Sequence, residues 1–268
     1  MHNHAIVLES LVPLRREPAH AAELTTELLF GERIAVLEEA NGWTHLRSLE
    51  DGYTGWAPAA MLTPLSEDAP VLSASPLFVQ PLFVHAVIAT GAESRSMPLC
   101  RAARMYEEAE LSTEDYVAFR VGAALYLIGR GYVAPALAYG AESVLKIAQG
   151  YAHAPYRWGG KTPLGIDCSG LVQNALLLHG VQAPRDAWQQ ATLGSLLPFD
   201  AREAADLAFF SNEAGHVVHV GFLLNDALIL HAAGSGHVRV DHITPEGILH
   251  THLKTLTHRL HSIQRVPH

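Results

Sequence analysis

The stretch that decides the fold is YRWGGKTPLGIDCSGLVQNALLLHG, which runs from Tyr156 to Gly180. Apolar residues follow Asp167 and Cys168 at helical spacing, and Gly180 fits a helix stop. The pattern therefore predicts a helix whose first turn contains Cys168. Unpaired N–H groups at a helix N-terminus favour negative charge. We therefore expect a lowered pKa for this thiol, which would make it a usable nucleophile.

A nucleophilic thiol needs a base, and the run HVGFLLNDALILHAAG supplies two histidines, His219 and His231. The dipeptide Asn225-Asp226 is a turn signal between two apolar runs. A hairpin centred near Asn225 would place positions 219 and 231 directly opposite each other, with Cβ atoms about 5 Å apart. One histidine could then accept the thiol proton while the other orients it.

The chain around these motifs divides into three predicted domains. Residues 1–65 alternate apolar and polar positions between glycine turns, which predicts a small all-β barrel. The segment DGYTGWAPAAML near the end of this region is echoed by GRGYVAPALA, so residues 66–138 are interpreted as a second, degenerate barrel. Residues 139–268 place helical patterns before successive strands. The predicted fold class is therefore α+β, with two all-β barrels in front.

Composition narrows the function. The 268 residues are 49% hydrophobic with a formal net charge of −9, which excludes a basic footprint for nucleic acid. The apolar runs are too short for a membrane helix, and the first residues make a poor secretory signal. We therefore expect a cytoplasmic protein that binds neither nucleic acid nor membrane. Cys100 is interpreted as a packing residue, and the histidines show no zinc-site spacing.

Several separated blocks together resemble a known family. PYRWGG, GIDCSGLVQ, APRDAWQQ, DLAFFS and HVGFLLNDALILHAAG, within residues 145–240, resemble the NlpC-type papain-like cell-wall cysteine peptidases. The segments GERIAVLEE and DGYTGWAPAAML resemble a bacterial SH3-like domain. The resemblance implies that Cys168 is the nucleophile, that His219 is the base and that His231 orients it. It also places Tyr156 near the oxyanion site.

The combination with N-terminal SH3-like barrels resembles the γ-D-glutamyl-L-diamino acid endopeptidases. That resemblance implies a murein-derived peptide substrate, L-Ala-γ-D-Glu-diamino acid, and no cofactor. Asp186, Tyr53 and Glu17 would hold the free amine of L-alanine. Arg185 and Ser169 would face the D-glutamyl carboxylate or backbone. The full set predicted to bind substrate or the oxyanion is Tyr156, Asp167, Ser169, Arg185, Asp186, Trp158, Tyr53 and Glu17.

Alternatives remain open at this stage. The same chemistry could act on intact peptidoglycan during wall remodelling rather than on recycled peptides. The barrels could instead make a non-catalytic peptide-binding module, and acyl transfer to or from lipid ranks last. Ala187 departs from the family, in which many relatives carry serine after the PRD block. One substrate hydrogen bond would then be missing or come from elsewhere. Oligomeric state and the preferred diamino acid are left open.

Overall fold

Residues 3–234 and 236–266 are described by a computed structural model, and the chain divides into two units, residues 1–137 and 138–268. The first unit is built from strands and short 3-10 turns. Its strands are β1 (His4–Val7), β2 (Leu11–Arg15), β3 (Leu24–Leu29), β4 (Arg33–Ala40), β5 (Trp43–Ser48), β6 (Thr54–Pro58), β7 (Leu62–Leu65), β8 (Leu77–Val79), β9 (Phe83–Thr90), β10 (Glu93–Cys100), β11 (Arg104–Met105), β12 (Tyr116–Val121), β13 (Ala124–Gly129) and β14 (Val133–Ala134).

The first seven strands form one sheet in the order β3-β2-β6-β5-β4-β1-β7. Successive side chains of a strand point to opposite faces, and β1 uses both. Ala5 and Val7 pack into the core of this sheet, whereas Ile6 packs with residues of strands β9, β10, β12 and β13. Strand β1 therefore contributes side chains to both hydrophobic cores of this unit, one on each of its faces.

Strands β8 to β14 form two smaller sheets, ordered β10-β9-β13-β12 and β11-β8-β14. Both sheets contribute to one core, which includes Val79, Val84, Met105, Phe119 and Val133. The unit is an all-β region, and its division into two SH3-like barrels stays a prediction, as do the three predicted domain boundaries.

Gly31 locks β11 against the first sheet. Its φ is +81°, and a Cβ built on it would lie 2.2 Å from the carbonyl oxygen of Arg104. The amide of Arg104 donates to the carbonyl of Phe30 at 2.8 Å, and the Tyr106 hydroxyl donates to that of Gly31, also at 2.8 Å. Any side chain at position 31 would therefore push β11 away from the segment between β3 and β4.

The second unit combines three helices with strands in the described residues 138–234 and 236–266. The chain is β-rich overall, so the α+β class stays a prediction. The elements are α1 (Ala141–Gln149), β15 (Lys161–Thr162), β16 (Gly165–Ile166), α2 (Cys168–Leu177), α3 (Ala187–Gln190), β17 (Ser195–Leu197), β18 (Leu207–Ser211), β19 (Val217–Leu223), β20 (Leu228–Ala232), β21 (Val238–Thr244), β22 (Gly247–Leu249) and β23 (Leu256–Arg265).

Strands β18 to β23 close into a six-stranded barrel. The sheet order is β17-β23-β18-β19-β20-β21-β22, and an additional pairing of β22 with β23 completes the ring. Phe210, Ile229, Ile243 and Ile248 are among the buried residues of its core. Because side chains alternate along strands, His231 and Asp241, two residues from Ile229 and Ile243, share their inward face.

Helix α2 packs against β19 and β20. It begins at Cys168, which confirms the helix start predicted from the sequence. Leu171, Val172 and Ala175 are fully buried, so the helix lies in the interior of the unit. The barrel thus holds the N-terminus of α2 in a fixed place.

Alanine at position 31 should destabilise the protein much more than alanine at position 42. Gly42 has the same φ of +81° but nothing within 4 Å of a built Cβ. Gly42→Ala should therefore cost only the left-handed backbone penalty, about 1–2 kcal/mol. Gly31→Ala adds the collision with Arg104 and should cost at least about 3 kcal/mol in urea unfolding. Equal losses for the two variants would contradict the packing described.

Candidate active site

Cys168 is the first residue of α2 and is buried. Its side chain is only 5% exposed. Burial and then the Asp167 carboxylate raise the pKa of the thiol to about 12, against hydrogen bonds from the backbone of Val220 and Ser169. The expected lowering of this pKa is therefore wrong, first because the thiol is buried and then because the Asp167 carboxylate, which caps the helix and accepts from the Gly170 amide at 2.7 Å, adds negative charge beside it. The resting residue is a neutral thiol.

The two predicted histidines meet across the hairpin of β19 and β20, but not directly opposite each other. Phe222 pairs with Leu230, and Leu223 pairs with Ile229. The hairpin is therefore centred one residue later than expected, and His231 lies diagonal to His219. The turn sits further along because the Asn225 side chain accepts from the amides of residues 227 and 228.

Gly221 makes the diagonal contact possible. A Cβ built on it would lie 2.9 Å from the Cβ of His231 and 2.8 Å from the carbonyl oxygen of Leu230. Without a side chain at this position, the ring of His231 can approach His219. The His219 Nε2 to His231 Nδ1 distance is 2.8 Å.

A third buried residue, Asp241 on β21, continues the chain of hydrogen bonds. His231 Nε2 lies 3.1 Å from Asp241 Oδ2, and Arg239 Nε donates to the same oxygen at 2.8 Å. The Thr251 amide donates to Oδ1 at 2.8 Å. Burial opposes the charge of Asp241, but these hydrogen bonds outweigh it and hold its pKa below the ordinary value. Asp241 is therefore an ionised carboxylate that only accepts.

The hydrogen-bond chain fixes the tautomers. Burial lowers the pKa of His231 more than Asp241 raises it, so this imidazole is neutral. Because it donates from Nε2 to Asp241, its Nδ1 must accept, and His219 must donate from Nε2. Burial, then His231 and His258, lower the pKa of His219 well below 6.5. His219 is therefore neutral with an open lone pair on Nδ1, which is the form a general base requires.

His258 on β23 completes the surroundings of the base. Its ring stacks on that of His219, with centroids 4.2 Å apart and an interplanar angle of 23°. Phe210 tilts against His219 with centroids 5.8 Å apart. Sequence reasoning missed Asp241 and His258. The alternation of VRVDHI could have placed Asp241 beside His231, whereas His258 had no signal among 17 histidines.

Asp167, Ser169 and Arg185 form one buried network beside Cys168. The Arg185 guanidinium donates to both carboxylate oxygens of Asp167, at 3.0 and 2.7 Å, and to the Ser169 hydroxyl at 2.8 Å. Arg185 is only 1% exposed. Asp167 also accepts from the amide of Gly159 at 2.8 Å, which ties the glycine-rich loop to α2. The predicted contact of these side chains with substrate stays a prediction.

Tyr156 and Trp158 border the same helix start. Burial, then the nearness of Cys168 and Asp167, raise the pKa of Tyr156, so its hydroxyl stays protonated and can donate. Trp158 is 59% exposed and presents an aromatic face. Asp186 precedes α3, and its amide donates to the side chain of Gln189 at 3.1 Å. Their roles in binding stay predictions.

Tyr53 and Glu17, which were predicted to hold the free amine of the substrate, both belong to the first unit. Tyr53 packs against the core of the first sheet, and its amide donates to Asp51 Oδ1 at 3.0 Å. Glu17 is exposed in the segment after β2. Their proposed contact with an amine stays a prediction.

Residues 3–234 and 236–266 contain neither a cluster of metal ligands nor a membrane-spanning helix. In this part of the chain, no group of three or more His, Cys, Asp or Glu side chains is placed so that it could hold a metal ion. Its helices are also too short or too polar to cross a membrane.

Comparisons with known proteins converge on one family. Residues 153–256 match the model of the NlpC/P60 family, and residues 14–62 match that of the bacterial dipeptidyl-peptidase Sh3 domain. The chain is 26% identical to γ-D-glutamyl-L-lysine dipeptidyl-peptidase of Bacillus subtilis, over 80% of this chain and 73% of that protein. It is 29% identical to dipeptidyl-peptidase 6 of Lysinibacillus sphaericus, over 87% of this chain and 89% of that relative.

A solved structure agrees in fold. An NlpC/P60 family protein from Bacillus cereus aligns with a TM-score of 0.86 at 17% identity, covering 98% of this chain and 100% of the other.

Asp241→Asn should lower kcat about 10- to 100-fold with little change in stability. The carboxylate accepts from His231 and Arg239 at one oxygen and from the Thr251 amide at the other, whereas an amide has only one accepting oxygen. The tautomer of His231 is then no longer fixed. A fraction of His219 then carries its proton on Nδ1, which cannot accept the thiol proton. Asp226→Asn, in the exposed turn between β19 and β20, is the matched control and should change kcat less than about twofold. Equal activity of both variants would contradict the relay.

The pH profile of kcat/KM should keep its acid limb below pH 6.5. A general base works in its neutral form, so the lowered pKa of His219 moves that limb to lower pH. The rate should therefore hold between pH 7 and about pH 6, where an ordinary imidazole would already lose most of its activity. An acid limb centred at or above pH 6.5 would show that the base is not buried as described.

Proposed function

We propose that this chain, a cysteine peptidase with an NlpC/P60 domain at residues 153–256, hydrolyses murein-derived peptides. The bond cleaved joins γ-D-glutamate to a diamino acid, in peptides whose N-terminal L-alanine is free. The observation that carries the catalytic part is the chain of hydrogen bonds from His219 to His231 and Asp241, together with the contact of Cys168 with the backbone of Val220, the residue after His219. The name of the Bacillus subtilis relative, γ-D-glutamyl-L-lysine dipeptidyl-peptidase, supports the substrate class.

The first half of the reaction forms a thioester. The Cys168 sulfur attacks the γ-carbonyl carbon of D-glutamate while the thiol proton passes to His219 Nδ1. The oxyanion forms near the start of α2, where backbone N–H groups and the Tyr156 hydroxyl can donate. His219 then gives its proton to the leaving nitrogen of the diamino acid, and the C–N bond breaks.

The second half restores the enzyme. A water molecule gives a proton to His219 Nδ1 and attacks the thioester carbon. The C–S bond breaks, and the sulfur recovers the proton from His219. The buried thiol and imidazole are both neutral before the reaction, so the site holds no ion pair until the thiol proton is transferred. Asp241 stabilises the transient charge that His219 and His231 share.

Substrate recognition is proposed residue by residue. Asp186, Glu17 and Tyr53 offer two carboxylates and an aromatic ring, which suit an ammonium group. Arg185 and Ser169 are proposed to face the D-glutamyl carboxylate or backbone. The Arg185 guanidinium is already paired with Asp167 and donates to the Ser169 hydroxyl, which it holds in place.

The exposed ring of Trp158 is proposed to pack against the peptide. An enzyme that requires a free N-terminal amine would act on released peptides. We therefore propose that it hydrolyses recycled murein peptides in the cytoplasm.

Mass spectrometry of digests tests both parts of the proposal. Purified enzyme should release the diamino acid from L-Ala-γ-D-Glu-diaminopimelate or its lysine analogue, and N-acetylation of L-alanine should reduce the rate at least about tenfold. Cys168→Ala should abolish cleavage, by at least about a thousandfold, with the circular dichroism spectrum unchanged. Cys100→Ala, which alters a buried cysteine of the first unit, is the matched control and should keep its activity.

Two results would contradict the proposal. Undiminished turnover by Cys168→Ala would end the mechanism. Equal rates on free and acetylated peptide, with fragments released from purified sacculi, would replace recycling by remodelling of the intact wall.

A further inference from the structure

The ring of His219 is held along only one edge by the hydrogen-bond chain. Its Nε2 is bonded to His231, but this single hydrogen bond fixes the position of one nitrogen more than the plane of the ring. Proton exchange with the sulfur needs the Nδ1 lone pair to point at Cys168, so the plane of the ring matters as much as its position. A second contact has to fix that plane.

His258 lies where such a contact is needed. Its ring covers a face of His219, nearly parallel at 23° with the centroids 4.2 Å apart. It meets His231 edge-on, with centroids 5.9 Å apart at 84°. It therefore touches both rings of the relay, although it takes part in neither of their hydrogen bonds.

The strand around His258 is itself well fixed. His258 pairs with Ile248 of β22 in the closed barrel. Its Nδ1 lies 2.9 Å from the Thr257 hydroxyl, and its ring meets Phe210 of β18 with centroids 6.0 Å apart. The side chain is half-buried, so the ring is restrained on its inner side by neighbours from three strands.

The charges around His258 keep its ring neutral near pH 7. The titratable and charged groups that face it are His219 of β19, His231 of β20, and Arg239 with Asp241 of β21. The paired residue on β22, Ile248, carries no charge. Burial, then His231 and Arg239, lower the pKa of His258 to about 4. A neutral aromatic face next to His219 attracts the imidazolium that forms when the thiol gives up its proton.

We propose that His258 is a positioning residue, whose ring stacks on His219 and holds the Nδ1 atom of that base toward the sulfur of Cys168. This inference rests on the proposed role of His219 as the general base. It assigns a function to a third histidine, which lies outside the hydrogen-bond chain. A flat ring at position 258 is the feature that matters, and its ionisable nitrogens are not required.

Four variants separate ring stacking from simple packing. His258→Ala removes the ring, His258→Phe keeps a flat ring, and His258→Leu fills much of the volume without a flat face. His261→Ala is the matched control, because His261 is an exposed histidine of the same strand, and its Nδ1 lies 3.0 Å from the hydroxyl of the neighbouring Ser262. Melting temperatures identify any variant that fails to fold.

Two readouts are measured for each variant. The first is kcat and KM on L-Ala-γ-D-Glu-diaminopimelate. The second is the rate of Cys168 alkylation by iodoacetamide at pH 6 to 8, which depends on transfer of the thiol proton and needs no peptide. His258→Ala and His258→Leu should lose about 10- to 100-fold in kcat and in alkylation rate, with KM within about twofold. His258→Phe and His261→Ala should stay within about threefold of the parent protein.

The outcomes are distinguishable from failure of the proposed substrate. If no form of the protein cleaves the peptide, the substrate proposal fails, while alkylation still tests the stacking. Equal alkylation rates for His258→Leu and His258→Phe would overturn the inference, because volume alone would then suffice. An alkylation rate of His258→Ala equal to that of the parent protein would overturn it as well. If His258→Ala does not fold, the comparison of leucine with phenylalanine decides.

Discussion

The hydrogen bond between His219 and His231 is the interaction on which the catalytic chemistry depends. It is 2.8 Å long and lies in a fully buried place, where an unsatisfied nitrogen would cost about 1–3 kcal/mol. Which histidine donates in this hydrogen bond is decided by Asp241, at the far side of His231. Asp241 can only accept, so His231 must donate to it from one nitrogen and accept from His219 at the other. The lone pair that remains on His219 is therefore placed by a carboxylate two residues further along the relay.

The closed barrel supplies this arrangement. His219, His231, Asp241 and His258 come from the strands β19, β20, β21 and β23, so four strands must hold their register for the relay to exist. The same barrel fixes α2, which brings the thiol of Cys168 to the backbone of Val220, next to His219. Burial then sets the protonation states: it raises the pKa of the thiol and lowers that of the imidazole, so both are neutral before the reaction.

The sequence predicted the local features better than the long-range ones. The start of α2 at Cys168 follows from apolar spacing, which is encoded within a few residues, and the structure adds Asp167 as its N-terminal cap. The predicted direct opposition of His219 and His231 was wrong, because the hairpin is centred one residue beyond Asn225, whose side chain accepts from the amides of residues 227 and 228.

The direction of the Cys168 pKa shift was wrong because burial depends on the packed structure. Asp241 was within reach of a strand-alternation argument, whereas His258 is brought to the site only by closure of the barrel.

The tautomer of His219 is the most direct test of this account. Long-range nitrogen-15 NMR on histidine-labelled protein at pH 7 reports which ring nitrogens carry protons. The account predicts a neutral ring with the proton on Nε2 and a bare Nδ1. A proton on Nδ1, or an imidazolium at this pH, would contradict it.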